Sequence, residues 1–66
     1  MKITVNGREE ILREETTLTE LVSLKQLNID EVIVVCNGQV VKKESWQCTV
    51  LKENDGIEFL RYVGGG

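Results

Sequence analysis

Two Asn-Gly pairs constrain the fold of this chain more than any other sequence feature. Asn6-Gly7 follows the alternating polar and apolar segment 2–5, and Asn37-Gly38 follows the β-branched run 32–36. Asn-Gly favours the two-residue turn whose twist matches that of paired antiparallel strands. Both pairs therefore predict β-hairpins, one near the start of the chain and one past its middle.

Further strands are expected around these turns. The first return strand is predicted over residues 10–14, where adjacent Ile11 and Leu12 leave the register open, and the second begins at Gln39. A short edge strand is predicted over 49–51. The turn 53–56 then introduces a final strand, predicted to be central in the sheet, with Ile57 and Phe59 on its core face.

A helix is expected between the two hairpins. Thr17 with Glu20 three residues later forms a capping-box pattern, which predicts a helix start. Its apolar side comprises Leu18, Leu21, Val22, Leu24 and Leu27. These residues recur about every three positions rather than every 3.6, so the helix should be short. Near its C-terminus, the Lys25 ammonium is expected to interact favourably with the helix dipole, and Asn28 is expected to be a left-handed cap. A hairpin, a helical crossover and further strands predict an α+β chain with a mixed sheet around one helix.

Composition excludes several functional classes. The 66 residues suffice for one small domain, and the chain contains no histidine, which removes the commonest general base and metal ligand. We therefore expect neither catalytic residues nor a metal site. The net charge of −3 argues against nucleic-acid binding, and no apolar run approaches the roughly 18 residues of a membrane span. Cys36 and Cys48 are expected to be buried free thiols in a cytoplasmic, monomeric protein.

The segment 64–66 is Gly-Gly-Gly, which cannot build a core and is expected to be a flexible tail after a domain spanning residues 1–63. The reactive group that this tail would supply is the α-carboxylate of Gly66. Gly64 and Gly65 lack Cβ atoms, so they suit a thread that enters a narrow channel in another protein. Transfer of AMP from ATP would convert the carboxylate into a mixed anhydride that a nucleophile can attack.

The last strand carries a second candidate feature. Leu60 and Tyr62 lie on the strand face opposite Ile57 and Phe59, and they run towards the tail. They form either an apolar docking patch for the enzyme that takes the carboxylate or a surface that loops cover. Trp46 is interpreted as a core anchor for a loop rather than a stacking platform for a ligand.

Four segments together resemble the ThiS family, the sulfur carriers of thiamine biosynthesis. They are Met1–Gly7, Thr16–Leu21, Val34–Gly38 continuing to Trp46, and Val63–Gly66. The chain departs from the family where Lys42-Lys43 replaces a frequent Pro-Arg and where Asn54 replaces a turn glycine. Asn tolerates the left-handed backbone conformation, so neither departure threatens the fold.

The resemblance implies the ubiquitin-like β-grasp fold and a role as protein co-substrate with no bound cofactor. A ThiF-type adenylating enzyme would use ATP to activate Gly66, sulfuration would produce a thiocarboxylate, and a ThiG-type thiazole synthase would accept the sulfur. Two alternatives stay open. The chain could be another β-grasp carrier, serving molybdopterin, cysteine or tRNA thiolation, or a ubiquitin-like modifier whose Gly66 is joined to lysines. A structural domain with an unreactive tail is a third, plainer interpretation.

Overall fold

A computed structural model describes residues 1–61, in which two hairpins and a final strand form one sheet. The elements in chain order are β1 (Lys2–Val5), β2 (Arg8–Ile11), α1 (Leu18–Leu24), β3 (Val32–Cys36), β4 (Gln39–Val41), α2 (Lys43–Trp46) and β5 (Gly56–Arg61). The predicted domain boundary between residues 63 and 64 lies outside this range.

The sheet has the strand order β2-β1-β5-β3-β4, which places β5 at its centre. β1 and β5 run parallel, whereas the other neighbouring strands are antiparallel. The apolar side of α1 joins the inward side chains of the sheet in one core. Its buried members are Ile3, Val5, Leu18, Leu21, Val22, Val34, Trp46, Leu51 and Ile57. The predicted mixed sheet around one main helix, with a central last strand, is confirmed.

Both Asn-Gly pairs form the predicted turns, with φ of 50° and 81° at Asn6 and Gly7 and similar values at residues 37 and 38. Because the first turn takes only two residues, β2 begins at once and spans Arg8–Ile11, so the predicted strand over 10–14 was wrong. The register pairs Lys2 with Ile11, which is 76% exposed. The side chain of the next residue, Leu12, packs against the core. Pairing thus decides the register that the sequence left open.

The capping box that starts α1 is present in both directions. The Glu20 backbone N–H donates to Thr17 Oγ1 over 3.2 Å, and the Thr17 backbone N–H donates to Glu20 Oε1 over 2.9 Å. The helix ends at Leu24, which is 66% exposed rather than part of the apolar side. The left-handed residue after it is Gln26, with φ 56°, so the prediction of Asn28 as that cap was wrong.

The connection between β4 and β5 contains a short helix that was not predicted, and it lacks the predicted edge strand. Residues 43–46 form the short helix α2, and Trp46 is 4% exposed, with its Nε1 donating to the Val41 carbonyl over 2.9 Å, as expected of a core anchor. The predicted edge strand over 49–51 was wrong, because Val50 makes only an isolated bridge to Thr17. Asn54 adopts φ 70°, the left-handed turn conformation expected of it.

No helix within residues 1–61 has the length and apolar character needed to cross a membrane.

Candidate functional site

The strand that leads to residues 62–66 is held on both sides. β5 pairs with β3 from Ile57 to Arg61, and it pairs with β1 at Gly56 and Ile57. Arg61, the last residue described, still lies opposite Val32 of β3. The predicted reactive segment, Gly64 to Gly66, therefore follows a central strand that is paired as far as the structure describes it.

Two turn asparagines brace β5 beyond its strand pairing. Asn6 Oδ1 accepts the Phe59 backbone N–H over 2.9 Å, and Asn37 Oδ1 accepts the Gly56 backbone N–H over 2.8 Å. Asn37 Nδ2 also donates to Asp55 Oδ1 over 3.0 Å. Each of these asparagines thus forms a hairpin turn and also satisfies a backbone donor of the central strand. β5 is consequently held in place by these side chains as well as by its neighbouring strands.

The face of the sheet opposite α1 carries a row of apolar side chains. On β5, Leu60 is 50% exposed, and it lies directly opposite Ile33 of β3. Val35 of β3 lies opposite Val40 of β4, which is 67% exposed. Directly opposed residues of antiparallel strands project on the same face. We refer to Ile33, Val35, Val40 and Leu60 as the open-face patch.

The sequence predicted a docking patch made of Leu60 and Tyr62, and the structure describes only the first of these two residues. No described loop buries Leu60, although its role in docking stays a prediction, and Tyr62 lies outside the described residues. The other three members, Ile33, Val35 and Val40, were not predicted from the sequence. The β3–β4 turn alone pairs Val35 with Val40, so local pattern could have found that pair. The pairing of Ile33 with Leu60 is a long-range contact that no local signal specifies.

The cysteines occupy different environments. Both are free, with Cys36 half-buried at the end of β3 and Cys48 exposed, so the expectation of two buried thiols was wrong for Cys48. Burial raises the pKa of the Cys36 thiol, and the nearby Asp55 carboxylate adds to the rise. Cys36 is therefore protonated at neutral pH and a poor nucleophile. The Cys36 side chain packs against the core and therefore faces away from the open-face patch.

A cleft with mixed charges lies beside the end of β5. Val5, Val32 and Phe59 are among its apolar lining residues. Charged groups on its rim pair with each other, as in the contact of Lys25 with Glu10. Within residues 1–61 no group of three or more histidine, cysteine, aspartate or glutamate side chains is arranged to hold a metal ion. The candidate site for binding a partner protein therefore comprises the open-face patch and the end of β5.

The model of the ThiS family matches residues 1–66 of this sequence, which is its full length. The chain belongs to the ThiS family. A solved relative is the thiamine biosynthesis protein ThiS of Geobacter metallireducens, whose crystal structure matches with a TM-score of 0.89 and 39% identity over all of both chains. This match confirms the ubiquitin-like β-grasp fold.

Two curated relatives differ in length. The sulfur carrier protein ThiS of Bacillus subtilis is 33% identical over 63 residues, covering 94% of this chain and 96% of that protein. A thiazole synthase of Magnetococcus marinus is 35% identical over 66 residues, which cover all of this chain and 20% of that protein. The chain thus spans a fifth of the thiazole synthase and nearly the whole of the Bacillus protein.

Proposed function

We propose that this chain is a sulfur carrier for thiazole formation in thiamine biosynthesis and acts as a protein co-substrate rather than an enzyme. The observation that carries the proposal is the family match, which extends through the glycine segment at residues 64–66. The similar Bacillus protein is itself named a sulfur carrier. The absence of histidine from the sequence accords with a chain that supplies a reacting group and leaves acid–base chemistry to its partners.

The reacting group in this proposal is the α-carboxylate of Gly66. A carboxylate is a poor electrophile, so a ThiF-type enzyme would first transfer AMP to it from ATP, with release of pyrophosphate. A persulfide would then attack the acyl carbon and displace AMP, which forms an acyl disulfide. A thiol would reduce that disulfide, so that the carrier is released as a thiocarboxylate and the thiol is oxidised to a disulfide with the former persulfide carrier. The chain needs no thiol of its own for these steps, which agrees with the protonated state of the Cys36 thiol.

Gly64 and Gly65 would let this carboxylate reach the activating enzyme. A glycine thread has no Cβ atom and can lie flat in a narrow channel, whereas any side chain would add width. Because β5 is central and braced, a partner that binds the sheet would also be positioned relative to the strand that leads to the glycine thread. Docking and threading are therefore separate tasks of the β-grasp domain and the tail.

We infer that the sulfur passes to a ThiG-type thiazole synthase. A thiazole synthase that contains a segment similar to this chain supports that assignment, since a carrier and its acceptor gain from being tethered in one polypeptide. A covalently held sulfur is also delivered at high effective concentration without being free in solution. Free thiols at both cysteines fit a cytoplasmic carrier, which we take to be monomeric.

The open-face patch is the docking surface in this proposal. It is apolar and partly exposed, and it includes Leu60 of the strand that leads to the tail. A partner that covers it would remove apolar surface from water and would hold the start of the tail in register. Tyr62 would extend the patch towards the tail.

Intact-protein mass spectrometry tests the function directly. The chain is incubated with ATP, a ThiF-type enzyme, a persulfide source and a thiol reductant, and a matched sample omits ATP. We expect an ATP-dependent mass gain equal to the replacement of one oxygen by sulfur, located in the peptide that ends at Gly66. The loaded carrier should then support thiazole formation by thiazole synthase.

Other outcomes would point elsewhere. Covalent attachment of Gly66 to lysines of other proteins would indicate a modifier. Loading followed by transfer only to a molybdopterin, cysteine or tRNA acceptor would indicate a different sulfur carrier. No mass gain with an activating enzyme that loads another family member would refute the proposed function.

A further inference from the structure

Glu58 is an acidic side chain placed within an apolar surface. It lies on β5 directly opposite Val35, and Val35 in turn lies opposite Val40. Leu60, two residues further along β5, projects on the same face. The carboxylate of Glu58 is therefore flanked by the open-face patch on the β3 side and along its own strand.

No cation of the described chain compensates this carboxylate. Among residues 1–61, Glu58 takes part in none of the ion pairs. On the β1 side, the open-face residue opposite Gly56 is the uncharged Thr4, and the Lys2 ammonium lies 3.6 Å from Glu9 instead. Docking at the patch would thus bring an uncompensated negative charge into an interface that loses water.

The sign of this charge discriminates between possible occupants. A second copy of the chain, packed symmetrically by the same face, would bring two Glu58 carboxylates into one apolar interface, where like charges repel strongly. A neutral apolar partner would leave the carboxylate buried without a counter-charge, which is costly. A partner with lysine or arginine within its own apolar surface avoids both penalties. The overall charge of −3 also favours approach to a basic surface.

We propose that Glu58 is a specificity-determining residue of the docking face and pairs with a lysine or arginine of the adenylating enzyme. The inference rests on the proposed function, because it names the chemistry of the partner that takes the tail. The apolar side chains around Glu58 supply contact area, and the carboxylate selects a surface of matching charge and disfavours self-association.

The test compares binding of three variants to a purified ThiF-type adenylating enzyme by calorimetry at several salt concentrations. Glu58→Gln removes the charge at constant shape, and Glu58→Lys reverses it. Glu44→Lys is the matched control. It lies at an exposed site on α2, outside the open-face patch, and it changes the net charge by the same amount as Glu58→Lys. Circular dichroism verifies that each variant is folded, and the ATP-dependent mass gain at Gly66 is recorded for all of them.

We expect Glu58→Gln to raise Kd about fivefold, which is typical of one lost ion pair, and to weaken the salt dependence of binding. Glu58→Lys should raise Kd by at least about 30-fold because it sets like charges together. Glu44→Lys should change Kd by less than about twofold, as a distant surface charge does. Sedimentation at high concentration should find the unmodified chain monomeric and Glu58→Leu more prone to associate.

The inference and the function can fail separately. Equal Kd values for Glu58→Gln and the unmodified chain, with normal loading of both, would overturn the role of Glu58 and leave the carrier function standing. A dimer of the unmodified chain through the open face would overturn it as well. Failure to load the unmodified chain would instead refute the proposed function. Because Glu58→Gln is nearly isosteric, the test does not depend on Glu58→Lys being folded.

Discussion

Truncation of Leu60 to alanine should slow loading of the carrier without unfolding it. Leu60 is 50% exposed, so about half of its side chain is available to be buried by a partner. Full burial of a leucine side chain contributes about 1.5–3 kcal/mol, and the half that docking would bury contributes about 1 kcal/mol. We therefore expect kcat/KM for thiocarboxylate formation to fall about fivefold in Leu60→Ala.

The matched control is Leu24→Ala. This leucine is 66% exposed on α1, on the other side of the sheet, so the same chemical change there leaves the open face intact. The assay measures initial rates of thiocarboxylate formation by mass spectrometry over a range of carrier concentrations, after circular dichroism has shown both variants folded. If Leu60→Ala loads as fast as Leu24→Ala and the unmodified chain, the open face is not the docking surface and the reasoning fails.

Three further predictions concern the helix cap, the tail and the thiols. Thr17→Ala removes the side-chain acceptor of the capping box, which should cost about 1 kcal/mol. Its Tm should then fall by roughly 4–8 °C relative to the exposed control Thr19→Ala, and an unchanged Tm would contradict the capping argument. Gly65→Val should leave the circular dichroism spectrum unchanged and abolish loading, whereas normal thiocarboxylate formation would refute threading. Alkylation followed by peptide mass mapping should modify Cys48 faster than Cys36, because burial and the Asp55 carboxylate raise the pKa of the Cys36 thiol and its thiolate forms only at higher pH. Equal rates near neutral pH would contradict this, and the double serine variant should still load sulfur.

Features that depend on a few neighbouring residues could be predicted from the sequence. The capping box of Thr17 and Glu20 and the left-handed asparagines at 6, 37 and 54 are local, since each rests on one side chain and its adjacent backbone. The central position of β5 was predicted together with a core face made by Ile57 and Phe59. The alternation of that strand predicted the face on which Leu60 lies, whereas its exposure was left open until the structure showed it.

Errors had both local and long-range causes. The start of β2 was misplaced although the two-residue turn at Asn6-Gly7 already implies a strand that begins at Arg8. Residues 49–51 have strand-like composition, yet Val50 meets only Thr17 in an isolated bridge. Strand propensity cannot form a strand where no neighbouring strand offers its backbone groups.

The candidate site divides in the same way. The sequence by itself suggested the reactive group of the proposed function, since the glycines at 64–66 can be recognised without any knowledge of the fold. Only the tertiary structure decided which side chains accompany Leu60. Ile33 and Val35 lie far from Leu60 in the sequence, and they share its surface because the β3–β5 register sets the two strands side by side. Glu58, in contrast, was placed on the face of Leu60 by the alternation of β5 itself. The β3–β5 register is determined by burial of the opposite face, where Val34 and Ile57 pack into the core, because a shift of one residue would turn those side chains into water.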